Sequence, residues 1–504
     1  MRVPLSWLRE YVAIDADAKT IADVFTARGF VVDAIDPQPM PDRIVVGVVD
    51  KLERHPNADR LFVGTVNTGS ETLQIVTGAA NVAAGNRVPI ALVGAEVYEH
   101  EPADGAAGAP ATKVIRASSL RGVQSNGMMC SPTELALPGE FEDGILILDD
   151  DAPVGAPFWS AVRYGGATLD LEVPSNRPDC LSIIGLAREA AAGLGAPWRE
   201  PAFPEHAGAG SAPIGVSIED ETLCRRFVGQ GFSELHARRS PLWMTLRLQA
   251  AGIRSIEFLV DVSNYAMLET GQPLHFYDAA RIRGGALVAR SSREGESVVT
   301  LDGVKRELPR GTPVIADGQG IVGVAGVFGG AETGVSKTTT TLFLEAANFL
   351  GPAVRRAASA LGLRTEASAR HEKNLPLQFD DLGRRAAAAL LVAAGATPSK
   401  VVDVGRKPSA RSPISVRSAR VNAVLGTKLT PAQMGESIAP IGFSVTTAST
   451  LEVTPPYWRG DVADEIDVVE EIARCIGYDA IPEQETNASP QDIDEGLFEQ
   501  ETEI

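Results

Sequence analysis

The stretch from Asp261 to Asp278, DVSNYAMLETGQPLHFYD, gathers Ser263, Asn264, Glu269, Gln272 and His275 inside one apolar-flanked segment. A hydroxyl, amides, a carboxylate and an imidazole so close together are side chains able to carry chemistry. A lone His is more often a structural hydrogen-bonder, and both readings stand on spacing alone. Ahead of the cluster, IEFLV (256–260) has the apolar, β-branched content of a buried strand. Gly271-Gln272-Pro273 then turns the chain, which places His275 just past the turn.

A second set is acidic. Asp467, Glu470 and Glu471 follow i, i+3, i+4 spacing and so share one helical face, opposite a stripe of Ile466, Val469, Ala473 and Ile476, with Asp461 just ahead in a loop. Clustered carboxylates supply the hard oxygens that magnesium prefers. A solvated acidic face has the same pattern.

These residues need domains to position them, and 504 residues suffice for several cores. A net charge of -19 argues against a chain-wide electrostatic grip on nucleic acid, so any RNA contact is local. Part of the acidity is a tail, residues 483–504. Cys130, Cys180, Cys224 and Cys475 stand singly, which fits a reducing cytoplasm and small core positions. Neither an export signal nor a membrane span is expected.

Residues 1–40 read as helical segments closed by a short strand, with PQPMPD as a boundary. Short β-rich runs follow (IVVGVVDKL, LFVGTVNTG, LQIVTGA, RVPIALVGA), whose spacing suggests a small closed barrel over 43–154. Residues 155–200 contain an SNRPD turn before a helix, with Ser182 or Asp179 as cap, and return to the first forty residues, so the barrel is an insertion in a discontinuous domain. The Pro- and Gly-rich 200–213 is a linker, 214–397 an α/β module, and 412–482 a compact helical unit with winged-helix-like alternation. The fold class is therefore multidomain, α+β and α/β.

His55-Pro56-Asn57-Ala58-Asp59-Arg60-Leu61, Thr77-Gly78-Ala79-Ala80-Asn81-Val82 and Gly127-Met128-Met129-Cys130-Ser131 resemble the tRNA-binding oligonucleotide-fold module of synthetase-associated proteins. That resemblance makes Arg60, Lys113, Arg116 and Arg121 candidate phosphate contacts; each is otherwise an ordinary surface charge. Together with NRPDCLS, NYAMLETGQPLH, GVAGVFGG, LGLRTEAS and TPPYWRGD followed by EIDVVEEIARCIGYDAIP, these motifs resemble the bacterial phenylalanyl-tRNA synthetase beta-subunit family over nearly all of residues 1–483.

The resemblance implies an α2β2 tetramer in the cytoplasm. An alpha subunit charges tRNA(Phe) with phenylalanine using ATP, and beta binds tRNA and hydrolyses mischarged Tyr-tRNA(Phe). It implies an editing site of Ser263, Asn264, His275, Ala325, Gly326 and Glu345. In that site Glu345 accepts the tyrosine hydroxyl, Ala325 and Gly326 let the ring approach the backbone, and Asn264 and His275 hold a water or the terminal ribose. No general base is assigned. On residue pattern alone, Glu345 in TLFLEAANF reads as a strand residue pointing outward rather than as a ligand-binding acid. The resemblance also implies a magnesium ion, shared with alpha, on Asp461, Asp467, Glu470 and Glu471.

Departures from the family pattern are Ser263 in place of a usual threonine, the 370–376 stretch RHEKNLP, and the lack of the family's later core-like and ferredoxin-like modules. They keep two alternatives open: a free-standing editing hydrolase and a tRNA-binding protein without activity.

Overall fold

A computed structural model of the chain describes residues 1–99, 111–139, 141–210, 213–236, 238–447 and 450–483. The acidic tail expected from sequence lies, after residue 483, outside the described residues. The protein is a multidomain α+β chain. Among the described residues no helix is long and apolar enough to cross a membrane.

Strands Arg2–Pro4, Gly166–Glu172 and Val31–Gln38 form one antiparallel sheet with Gly166–Glu172 in the middle. Two helices cover it. Asp17 caps Ala18–Ala27, and Ser182 caps Ile183–Leu194 by accepting from the Gly185 amide at 2.9 Å. Between the outer and middle strands the chain leaves to build a five-stranded sheet from Ile44–Arg54, Phe62–Asn67, Thr72–Thr77, Arg87–Ala91 and Met128–Met129. Its two ends approach each other, since the Asn126 amide donates to the Gln74 carbonyl and the Val76 amide to Ser125 Oγ.

The central module is layered. An antiparallel sheet of Leu274–Asp278, Leu342–Phe349, Cys224–Ser233 and Thr397–Gly405 carries helices Phe258–Thr270 and Gln378–Ala393 on one face. Its other face packs on a second sheet that includes Ala286–Ser291, Pro313–Ala316 and Ile321–Val324. Leu342–Phe349 is buried throughout because both faces are covered. Leu342, Leu344 and Ala346 point to the helices, where they share a core with Trp7, Phe25 and Leu186 of the first unit. Phe343, Ala347 and Phe349 point to the second sheet, and the strand's two-residue period puts Glu345 on that side.

The strand expected at 256–260 is not formed. A helix, Phe258–Thr270, takes its place and stops at Gly271. Phe258, Leu259, Val262, Tyr265, Ala266 and Leu268 all enter the core, a helical period that five residues are too short to display. Asp261 secures the entry by accepting from Ser255 Oγ, Ser240 Oγ and the Ile256 amide.

The segment 200–213, expected as a linker, is tied down at several points. Glu205 pairs with Arg384 at 2.6 Å, and the His206 carbonyl accepts from Gln230. The last unit packs strands Ile414–Val416, Leu451–Thr454 and Ser444–Thr447 against helices Pro431–Ile438 and Glu465–Ile476.

Candidate functional site

On the helix Phe258–Thr270, Val260, Ser263, Asn264 and Met267 are spaced i, i+3, i+4, i+7 and share the face turned away from the apolar core. They form one wall of a cavity of about 480 Å³. His275 and Glu345 are directly opposed cross-strand partners and form its floor. The turn between Ile321–Val324 and Phe328–Gly329 supplies Ala325 and Gly326 to the far side. All six residues of the expected site, Ser263, Asn264, His275, Ala325, Gly326 and Glu345, line this one cavity.

Its electrostatics follow from burial. Glu345 is pushed up to about 7 by desolvation, a rise that the hydrogen bond from the Tyr277 hydroxyl to Oε2, 2.6 Å long, partly offsets. His275 is pushed down to about 4 by burial, so at neutral pH its ring is uncharged, and its Nε2 is buried without a hydrogen-bond partner among the described residues. Ser263 Oγ donates back to the Val260 carbonyl at 2.8 Å. Small residues make room. A side chain at Gly329 would collide with the His275 ring. Gly326 sits at φ +70°, where a Cβ would also lie 3.0–3.1 Å from Phe349, His371 and Val354.

Three lining residues escape sequence reading. Tyr277 stands two residues after His275 on the same strand face, a period-two signal that the sequence does carry. Thr365 caps the helix Glu366–His371 in a capping box with Ser368 and donates to the Val327 carbonyl at 2.8 Å. The T-x-x-S spacing inside LGLRTEAS announces that role. His371 closes the cavity beside Gly326, its pKa pushed down to about 3 by burial and then by Arg370 and Arg225. The divergent 370–376 loop is anchored. Arg370 donates to the Leu181 carbonyl, Asn374 accepts from the Gly351 amide, and the Leu375 carbonyl accepts from Asn348. Conversely, Glu269 and Gln272 of the opening cluster lie elsewhere: Glu269 accepts from the Tyr11 hydroxyl at 2.5 Å, and Gln272 donates to the Ala347 carbonyl.

The basic candidates are arranged by a docking of two loops. His55 Nε2 meets the Leu120 carbonyl at 3.0 Å and Asn57 donates to the Arg121 carbonyl at 3.1 Å. Arg60 and Arg121 therefore sit on adjoining loops, with Arg121 at the tip of the Ser118–Leu120/Val123–Ser125 hairpin. Arg60, Arg116 and Arg121 are exposed; Lys113 is held by Glu134 at 2.9 Å.

The acidic set is spread over separate partners. Among the described residues no three His, Cys, Asp or Glu side chains are grouped to hold a metal ion. Asp461 is taken by Arg459 at 2.8 Å, and Glu471 is buried between Arg459 and Arg474. Asp467 accepts from the Ala463 and Asp464 amides as a helix cap, and Glu470 is exposed. Spacing puts three carboxylates near one face, but Arg459 and Arg474 claim Glu471 and the helix terminus claims Asp467, while Glu470 stays exposed. The apolar stripe also rotates: Ile466 is exposed, and Val468, Val469, Ile472 and Ala473 are buried.

Comparison with known proteins first gives the class. Residues 44–157 match a putative tRNA binding domain, 223–420 a B3/4 domain and 414–478 a tRNA synthetase B5 domain, a combination that marks an aminoacyl-tRNA synthetase component. The chain is 39% identical over 494 residues to the phenylalanine–tRNA ligase beta subunit of Moorella thermoacetica, covering 96% of this chain and 60% of that protein. It is 38% identical over 491 residues to that of Geobacter sulfurreducens, covering 95% and 59%. The chain is similar to phenylalanine–tRNA ligase beta subunits over nearly its whole length, and it spans about 60% of the length of these curated relatives. An N-terminal fragment of the phenylalanyl-tRNA synthetase beta subunit from Pyrococcus horikoshii aligns at a TM-score of 0.34 with 14% identity, covering 62% of this chain and 88% of the fragment.

Proposed function

We propose that the chain acts as a phenylalanine–tRNA ligase beta subunit that binds tRNA and hydrolyses mischarged Tyr-tRNA(Phe) in the cavity above Glu345. One observation carries the reading: the six expected editing residues, drawn from a helix, two strands and a turn, line a single cavity of about 480 Å³. Such a volume suits an aromatic aminoacyl group and part of its ribose.

The chemistry has a physical motive. A pocket shaped for phenylalanine rejects tyrosine only about a hundredfold, because adding a hydroxyl to an apolar-site ligand costs little. A second site that needs the hydroxyl inverts the preference. Phenylalanine there leaves the buried Glu345 oxygen without a donor, whereas the tyrosine phenol satisfies it. In this reading the neutral His275 and Asn264 position the terminal ribose or a water against the ester carbonyl. His371, facing the same space, helps to close it to solvent.

In the same reading, the sheet of residues 44–129 is an oligonucleotide-fold barrel whose exposed Arg60, Arg116 and Arg121 meet tRNA phosphates, with Lys113 in a lesser part. Residues 412–482 form a winged-helix-like unit. Charging of tRNA(Phe) with phenylalanine, with ATP and magnesium, belongs to an alpha subunit assembled as α2β2 in the cytoplasm. Asp461 and Glu471 are paired with arginines and Asp467 caps its helix, so three of the four carboxylates offered for magnesium already have partners and Glu470 alone is exposed.

The test is single-turnover hydrolysis of Tyr-tRNA(Phe) by the purified chain, with Phe-tRNA(Phe) as control. Selective clearance of the tyrosyl ester is expected. Equal, uncatalysed decay of both, with and without added alpha subunit, would overturn the editing reading.

A further inference from the structure

We propose that Tyr277 is a positioning residue for selectivity in this cavity: its hydroxyl pins one oxygen of Glu345, leaving the other as the acceptor for the phenol of a bound tyrosyl group. The inference rests on the reading above, in which Glu345 recognises that phenol.

The geometry is specific. Tyr277 and Glu345 lie on adjacent antiparallel strands in the register Tyr277↔Phe343 and His275↔Glu345, so the phenol reaches Glu345 diagonally across one sheet face. Tyr277 OH stands 2.6 Å from Oε2, and no hydrogen bond to Oε1 is present among the described residues. The tyrosine ring is fixed in turn. It meets the His275 ring edge-on at 4.4 Å, and its backbone bridges to Gly334. A carboxylate's terminal torsion is broad, so an unpinned Glu345 would sample several orientations in the cavity. A phenol fixed by ring packing and backbone pairing selects one.

Pinning also sets the charge. The titratable groups around Glu345 are Tyr277 and His275 on one neighbouring strand and Cys224 on the other. Across the cavity stand His371 and Glu366 on the helix and Asp302 on its loop. Glu366 is paired with Arg370 and Asp302 with Arg306. His275 and His371 are both buried with pKa values pushed well down, so neither brings positive charge at neutral pH. The Tyr277 hydroxyl is thus the donor that favours the ionised carboxylate against its burial. An ionised Glu345 can only accept, which is the state that reads a ligand hydroxyl and penalises a bare phenyl ring.

The deciding variant is Tyr277→Phe in the full chain, which keeps the ring and its edge contact with His275. Glu345 is titrated by carboxyl ¹³C NMR, its signal assigned by its absence in Glu345→Gln. The parent midpoint is expected at about 7. The variant midpoint is expected to rise by about one unit, which at pH 7 lowers the ionised fraction roughly fivefold. The ratio of Tyr-tRNA(Phe) to Phe-tRNA(Phe) clearance should fall by about the same factor and recover in part near about pH 8.5, where Glu345 ionises in both proteins. A purely structural role for Tyr277 would lower both clearances alike and leave the pH profile in place.

An unchanged midpoint with unchanged selectivity overturns the inference while leaving the editing reading intact. If the parent shows no tyrosyl selectivity, the editing reading falls, and the titration alone judges the link: a raised midpoint supports the pinning and an unchanged one refutes it. Should Tyr277→Phe not fold, 3-fluorotyrosine at position 277, a stronger donor of nearly the same shape, must move the midpoint down. A midpoint that stays put or rises refutes the proposal.

Discussion

Glu345 lies between two sheet layers with a tyrosine hydroxyl as its partner, whereas Glu471, similarly buried, lies between the guanidinium groups of Arg459 and Arg474. Burial raises both carboxyls. At Glu345 only the phenol opposes it, and the group stays up at about 7. At Glu471 Arg459 and then Arg474 outweigh it and hold the group down at about 2. Arg474 continues to Glu189 at 2.7 Å, and Glu189 to Arg177 and Arg28, so a chain of buried ion pairs joins the last unit to the first. A buried carboxylate whose oxygens are all claimed by cations is committed to structure. One buried with a neutral donor and an open side is available to a ligand.

The comparison breaks most directly at its structural member. Glu471→Ala leaves two arginines buried without their shared anion, and about 3–5 kcal/mol of stability should be lost. Chemical denaturation of both alanine variants measures it. Should Glu345→Ala cost as much as Glu471→Ala, the division between committed and available carboxylates would not hold.

The two groups should also give stability opposite pH dependences. Glu345 is raised in the folded state from 4.5, so its contribution is complete below about pH 4.5 and is lost as pH rises through about 7. A shift of that size corresponds to about 3 kcal/mol. Glu471 is depressed from 4.5, so its contribution is present above about pH 4.5 and is lost as pH falls through about 2. Denaturation midpoints of the parent, Glu345→Gln and Glu471→Gln across pH separate them. The Glu345→Gln difference must change around neutrality and the Glu471→Gln difference only in acid.

On function the order reverses. Glu345→Ala should reduce tyrosyl-over-phenylalanyl clearance about thirtyfold, the worth of a hydrogen bond of about 2 kcal/mol to a charged group. Stable substitutions away from the cavity should leave that ratio alone. The smallest effect concerns the basic rim. Arg60→Ala should weaken tRNA binding and lower the salt dependence by about one unit of log–log slope, and Lys113→Ala should do less because Glu134 already holds that ammonium. Equal slopes for the two variants would place Lys113 on the phosphates as well.

Much of this layout is legible in the residues, with instructive exceptions. Ser182 or Asp179 reads as a helix cap and Ser182 acts as one, since capping needs only local spacing. Residues 256–260 read wrongly as a strand because five apolar residues do not reveal their period; the helix emerges only when Val260, Ser263, Asn264 and Met267 are read together. The acidic helix is a different case. Its spacing is real, but Arg459 is twelve positions from Glu471 and Glu189 lies far away in sequence, so no local pattern reveals which oxygens are already taken. Whether Glu345 faces solvent or a cavity is equally open in the sequence, because alternation gives two faces and only the layers packed on them say what each meets.

The sequence by itself determined most kinds of element, the local caps and turns, and much of the list of side chains able to do chemistry, because these depend on neighbours within a few residues or on motif order. Tertiary structure alone decided which of those side chains share a space. It brought a helix, two strands and a turn around Glu345, left Glu269 and Gln272 outside, and gave Glu471 to arginines. The reason is electrostatic as much as steric. A carboxylate's role is set by the charges and donors within a few ångströms, and in this fold those come from residues remote in the chain.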